Sequence, residues 1–80
     1  MTHHEKFRLK ILDARSDANI PFQALRLFLQ HLGFSERIKG SHHIYWKDGI
    51  EEILNLQARG SLAKPYQVRQ IRAILLRYKL

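Results

Sequence analysis

The chain predicts an α+β fold in which two helices lead into a three-stranded antiparallel meander and a third helix closes the structure. Three observations carry that expectation. An apolar block between Ala24 and Leu32 repeats at helical spacing. Short runs of β-formers flank a Lys39-Gly40-Ser41 turn and an Asp48-Gly49 turn. Pro65 then opens a second long amphipathic stretch. A chain of 80 residues supports one core and buries roughly 60% of its unfolded surface. That argues against a large internal pocket and places function on an exposed face.

Each element has a local reason. From His4 to Arg15, Phe7, Ile11 and Ala14 share one face, which predicts a short helix with a narrow apolar stripe. Ser16-Asp17-Ala18-Asn19 breaks that helix and offers an N-cap to the next, whose first turn accommodates Pro21. Ala24, Leu25, Leu27, Phe28, Leu29 and Leu32 cover more than half of the second helix, so it is expected to be mostly buried. Gly33 closes it in the left-handed conformation. Strands follow at Phe34 to Ile38 and His42 to Trp46. Asp48-Gly49 reads as a second hairpin turn leading to a strand from Glu52 to Gln57, with Leu54 and Leu56 on one face and Ile53, Asn55 and Gln57 on the other. Ala58-Arg59-Gly60-Ser61 reads as a loop. The last helix runs from Pro65 to about Tyr78, carrying Val68, Ile71, Leu75 and Tyr78 on one stripe. Arg69 and Arg72 lie beside that stripe with Gln67 and Gln70. An antiparallel meander with helices on one face leaves the other face open. This is a double-stranded-RNA-binding-domain-like α-β-β-β-α layout with an additional N-terminal helix. Residues 1–16 are expected to form a helical extension and residues 17–80 the domain proper.

Charge narrows the partner. Fourteen Lys and Arg against seven Asp and Glu give a net charge of +7 and a pI near 10.3. No acidic side chain follows Glu52, whereas Arg59, Lys64, Arg69, Arg72, Arg77 and Lys79 do. So one-sided a segment points to a polyanion such as RNA, the plainer reading being a helix kept soluble by its charges. With no cysteine there is neither a disulfide framework nor a thiolate zinc site, compatible with a reducing cytoplasm. Apolar runs are too short to span a bilayer, and Lys6, Arg8 and Lys10 interrupt any leader-like start. A cytoplasmic protein without a membrane or small-molecule cofactor is expected.

The chemistry concentrates at His42 and His43, directly behind the Gly40-Ser41 turn. Imidazole is the side chain whose ordinary pKa lets it take and return a proton near neutrality. Adjacent residues on a strand face opposite ways. Tyr45 and His43 are expected inward or at the edge, His43 as a packed and hydrogen-bonded ring, leaving His42 on the open face. A pair of solvated surface histidines is the bland alternative. Trp46 offers a surface for stacking on a base, or core packing instead. Lys39 stands before the turn, where it can hold a phosphate or simply be solvated. Asp48, Glu51 and Glu52 are explained by a turn and a strand start, and His3-His4 by a frayed terminus. No cluster has metal-ligand spacing, so no metal is assigned.

Leu32-Gly33-Phe34, Gly40-Ser41-His42-His43-Ile44-Tyr45 and Asp48-Gly49 closely resemble the HicA (YcfA-like) toxins, small messenger-RNA interferases of type II toxin–antitoxin modules. Leu56-Gln57, the run Lys64 to Arg72 and Tyr78-Lys79-Leu80 look like a longer branch of that family, so the likeness spans roughly residues 20–80. It implies a dsRBD-like fold, ribosome-independent cleavage of mRNA, neutralisation by a HicB antitoxin, and catalysis by the histidine after Gly-Ser, here His42. The N-terminal helix exceeds the minimal family domain. The family's usual Gly before the last helix and its Ala-Gly end are replaced.

Together these readings predict a metal-independent endoribonuclease in which His42 is the general base on a ribose 2′-OH. Lys39, Gly40, Ser41, Trp46, Lys64, Arg69 and Arg72 are the expected RNA-binding residues. No residue stands out as the acid for the leaving oxygen. Two rivals stand beside it: an RNA-binding module that cleaves nothing and uses the same basic face, and a basic protein whose one partner is an acidic antitoxin.

Overall fold

The fold grows around α2 (Phe22–His31), where Phe22, Leu25, Phe28 and Leu29 are all buried along one side. The computed structural model describes residues 2–80. Before α2 lies α1 (His3–Asp13), its first turn capped by Thr2, whose side chain accepts from the Glu5 amide at 3.1 Å. Three strands follow: β1 (Ser35–Lys39), β2 (His42–Trp46) and β3 (Leu54–Leu56). A short ribbon of β4 (Ala58–Arg59) and β5 (Leu62–Ala63) precedes α3 (Pro65–Tyr78). The chain is thus α+β, with three helices and a three-stranded antiparallel sheet in the order β1-β2-β3.

Helices cover one face of that sheet. Tyr45, Leu54 and Leu56 point into a core shared with Phe7 and Ile11 of α1, Leu25 and Phe28 of α2, and Val68, Ile71, Ile74 and Leu75 of α3. The N-terminal helix therefore packs into the same core as the remainder. Phe7 meets Phe28 at 5.2 Å between ring centroids, and Arg8 Nε donates to the Leu80 carbonyl at 2.7 Å. His3 and His4 are not frayed: both lie in the first turn of α1, and the His4 ring stacks on His31 at 3.8 Å. The neighbouring rings and some burial hold His4 below the ordinary histidine range, burial first.

Several boundaries differ from expectation. Asp17–Asn19 forms a short 3-10 turn, and Pro21 is the cap residue of α2 with no side-chain cap. The free Phe22 amide donates instead to the Ser61 carbonyl at 2.9 Å, because β5 lies alongside residues 20–22. The expected loop at Ala58-Arg59-Gly60-Ser61 is half of a hairpin, with Ala58 paired to Ala63 and Arg59 to Leu62. Asp48-Gly49 does turn the chain, with Ile50 N donating to Lys47 O at 3.0 Å, but it is no tight hairpin. The third strand starts only at Leu54. Glu51 and Glu52 are drawn away to the end of α3, where Arg77 reaches both carboxylates and Tyr78 donates to Glu52 at 2.6 Å. Among the described residues no helix is long and apolar enough to cross a membrane.

Candidate functional site on the open sheet face

A two-residue turn sets the geometry of the open face. Gly40 sits at φ +60 and Ser41 does not share the positive region, the arrangement of a type II′ hairpin. Lys39 is thereby paired across the turn with His42, Arg37 with Ile44 and Ser35 with Trp46. On the other side Ile44 is paired with Asn55. Directly paired residues share a face, so the uncovered side of the sheet carries Arg37, Lys39, His42, Ile44, Trp46 and Asn55. The alternation expected for β2 holds: Tyr45 is fully buried, His42 is exposed, and Trp46 keeps 40% of its surface in solvent.

His42 is held in place from the next strand. Its Nδ1 lies 3.0 Å from Asn55 Oδ1. Beside it, Gln57 Nε2 donates to Ser41 Oγ at 3.0 Å, and Lys64 Nζ reaches Gln57 Oε1 at 3.5 Å. Because Ser41 Oγ already accepts, its own proton is left to donate outward. Lys39, Gly40, His42, Ile44 and Asn55 line a depression of about 430 Å³. Its chemistry is mixed: a cation, a hydrogen-bonded imidazole and an aliphatic floor. A phosphate with an attached sugar or base finds complementary groups there.

Of the expected RNA-binding residues, Lys39, Gly40 and Ser41 adjoin His42, Trp46 lies further along the same face, and Lys64 connects through Gln57. Arg69 and Arg72 do not join them. Arg72 clamps Asp17 with two hydrogen bonds, at 2.8 and 3.0 Å, and also donates to the Ile11 carbonyl. These bonds hold the Asp17 carboxyl below the usual carboxylate range, and the nearby Arg69 adds to the effect. Arg72 is thus a tie between α3 and the α1–α2 junction, since burial of its side chain favours an anionic partner over solvent. Gln67 is likewise no surface residue: it is fully buried and its Oε1 accepts from the Lys64 amide at 3.3 Å, capping α3. Arg37 and Asn55 were missed by sequence reasoning. Counting back from the Gly40-Ser41 turn in steps of two would have found Arg37.

On the covered side a second polar group forms. Glu36 receives Arg26 at both oxygens, 2.9 Å each, and Gln30 at 3.3 Å, and the Tyr45 hydroxyl donates to it. Arg26, aided by Tyr45, holds Glu36 down at about 2 against the opposing effect of burial. Burial, and then the Glu36 charge, push the Tyr45 phenol up. His43 packs edge-on against Phe22 at 5.0 Å, as expected of an inward ring. The hydrogen bond expected of it is not formed: Nδ1 stands 3.5 Å from Glu36 Oε2, at ion-pair range, and has no hydrogen-bond partner. Among the described residues no three His, Asp or Glu side chains are grouped to hold a metal ion. No protein-family model, curated protein or solved structure matches this chain.

Proposed function

We propose that the protein is a metal-independent endoribonuclease of the HicA type, a cytoplasmic toxin that cleaves mRNA and is neutralised by a HicB-like antitoxin. The meander with helices on one side is the frame of a dsRBD-like domain. In this reading the open sheet face is the RNA face. The observation that carries the proposal is His42: exposed, one residue past a Gly-Ser turn, hydrogen-bonded through Nδ1, and beside Lys39 in a depression.

The chemistry follows from those groups. With Nδ1 engaged, Nε2 of the neutral ring takes the proton of a ribose 2′-OH. The 2′-oxygen attacks the adjacent phosphorus, the bond to the 5′-oxygen breaks, and water reaching this open face protonates the departing oxygen. Lys39 and the Ser41 hydroxyl stabilise the charge that builds on the phosphoryl oxygens. Glu51 and Glu52 take no part, for they are engaged by Arg77 and Tyr78.

The test is incubation of the pure protein with RNA, comparing wild type with His42→Ala. Cleavage by the wild type alone, with both proteins showing the same thermal unfolding, supports the reading. RNA retardation without cleavage would make the protein a binding module. Cleavage by both proteins would remove His42 from the mechanism.

A further inference from the structure

We propose that Asn55 is the positioning residue of this site: it fixes the tautomer of His42, so that Nε2 is the atom that accepts the proton. The inference builds on the nuclease reading above. A solvated neutral imidazole exchanges its proton between two nitrogens, and a base that must work at one atom loses efficiency to the wrong form. Asn55 Oδ1 can only accept. At 3.0 Å it therefore demands a proton on Nδ1 and leaves the lone pair on Nε2.

The orientation of the amide suits the proposed reaction. During turnover His42 alternates between neutral ring and imidazolium, and Nδ1 carries a proton in both. An oxygen facing Nδ1 satisfies both states, whereas an amide NH₂ turned toward it would oppose the imidazolium. The backbone sets this pairing up. Asn55 is paired with Ile44, two residues along β2 from His42 on the same face, a diagonal reach for its side chain.

The charged groups around the ring offer no rival for the role. Lys39 lies directly across from His42, Arg37 further along β1 and Lys64 beyond Gln57, and all three are cations that offer Nδ1 no acceptor. None of the strand residues on this face is acidic. Asn55 is exposed, so changing it does not open the core.

Two readouts test the proposal independently. Long-range ¹⁵N NMR of the RNA-free protein should find neutral His42 protonated at Nδ1, and Asn55→Ala should return the ring to the mixture of a solvated imidazole. In cleavage assays Asn55→Ala should lower kcat by about 10–100-fold, the scale on which orienting partners of an imidazole act, with KM unchanged. Asn55→Asp should restore the Nδ1 proton and, by placing an anion against the ring, move the acidic limb of the pH–rate profile to higher pH. A mixed or Nε2-protonated ring in the wild type, or an Asn55→Ala enzyme with unaltered kcat, overturns the proposal. If no variant cleaves RNA, the nuclease reading fails, and the NMR result alone decides whether Asn55 fixes the ring.

Discussion

Glu36 should make the fold acid-sensitive by a definable amount. Its carboxylate receives donors from Arg26 and Gln30 of α2 and from Tyr45 of β2, and burial opposes its charge less than those donors favour it. The group therefore titrates near 2 when folded, against 4.5 as the ordinary value. As pH falls, the unfolded chain takes up the proton first. The stabilisation is whole above about 4.5 and drains away as pH drops toward 2. Such a displacement is worth about 3 kcal/mol at neutral pH if no solvent intervenes. The cluster lies at the margin of the core, with side chains of Arg26 and Glu36 21% and 14% exposed. Screening by that solvent brings the working figure to about 1–2 kcal/mol.

Glu36→Gln removes the charge and keeps the shape. At pH 7 the variant should be less stable by about 1–2 kcal/mol, a fall of roughly 5–15 °C in Tm for a domain of this size. Urea unfolding at intervals from pH 7 to pH 2.5 provides the comparison. Wild type should lose its advantage between about pH 4.5 and 2, and the two curves should converge at the acid end. Other carboxylates, Asp17 among them, titrate in both proteins and cancel in the difference. Parallel curves across that range would show that Arg26, Tyr45 and Glu36 contribute nothing through charge.

Three further outcomes are expected. Ile11→Ala should cost about 2–5 kcal/mol in urea unfolding, because Ile11 is fully buried; a loss below about 1 kcal/mol would make α1 an appendage. In RNA-binding titrations against salt, Arg37→Gln and Lys39→Gln should each flatten the slope of log K by about 0.7, whereas Arg72→Gln should lower Tm and leave the slope alone; equal slopes in all three would take RNA off the sheet. Cleavage should persist in EDTA, stop when the ribose at the cut site is replaced by deoxyribose, and leave a 2′,3′-cyclic phosphate detectable by mass spectrometry; activity lost in EDTA and restored by magnesium would move the chemistry to carboxylates.

What could be read in advance followed from local punctuation. The strand His42–Trp46 and the helix Pro65–Tyr78 have the bounds expected for them, because Gly-Ser marks the start of one and Pro the start of the other. Alternation then separated the faces of His42 and Tyr45. The same reasoning overlooked a repeat of its own signal. Gly60-Ser61 is the dipeptide of Gly40-Ser41, and Gly60 adopts φ +62 beside Gly40 at +60. Its flanking strands are two residues each, without a run of β-formers, and they are held by the backbone of residues 20–22. A partner that far away in sequence leaves no local mark. Arg72 misled for the same reason, since its position beside the apolar stripe of α3 says nothing of Asp17, 55 positions earlier.

The open face shows where such reading stops. From a two-residue turn, register can be counted outward, and Lys39 opposite His42 and Arg37 opposite Ile44 follow from the Gly40-Ser41 turn alone. Between β2 and β3 the chain runs through residues 47–53, and Asp48-Gly49 there invites a tight hairpin that does not form. Counted from that false turn, Asn55 would stand directly opposite His42, two residues out of step with the pairing that forms. In the actual register Leu54 and Leu56 both reach the core. A shift of one residue would turn Asn55 inward and bring Leu54 or Leu56 out beside His42. The hydrogen bond on the imidazole thus depends on Leu54 and Leu56 staying buried on the opposite face.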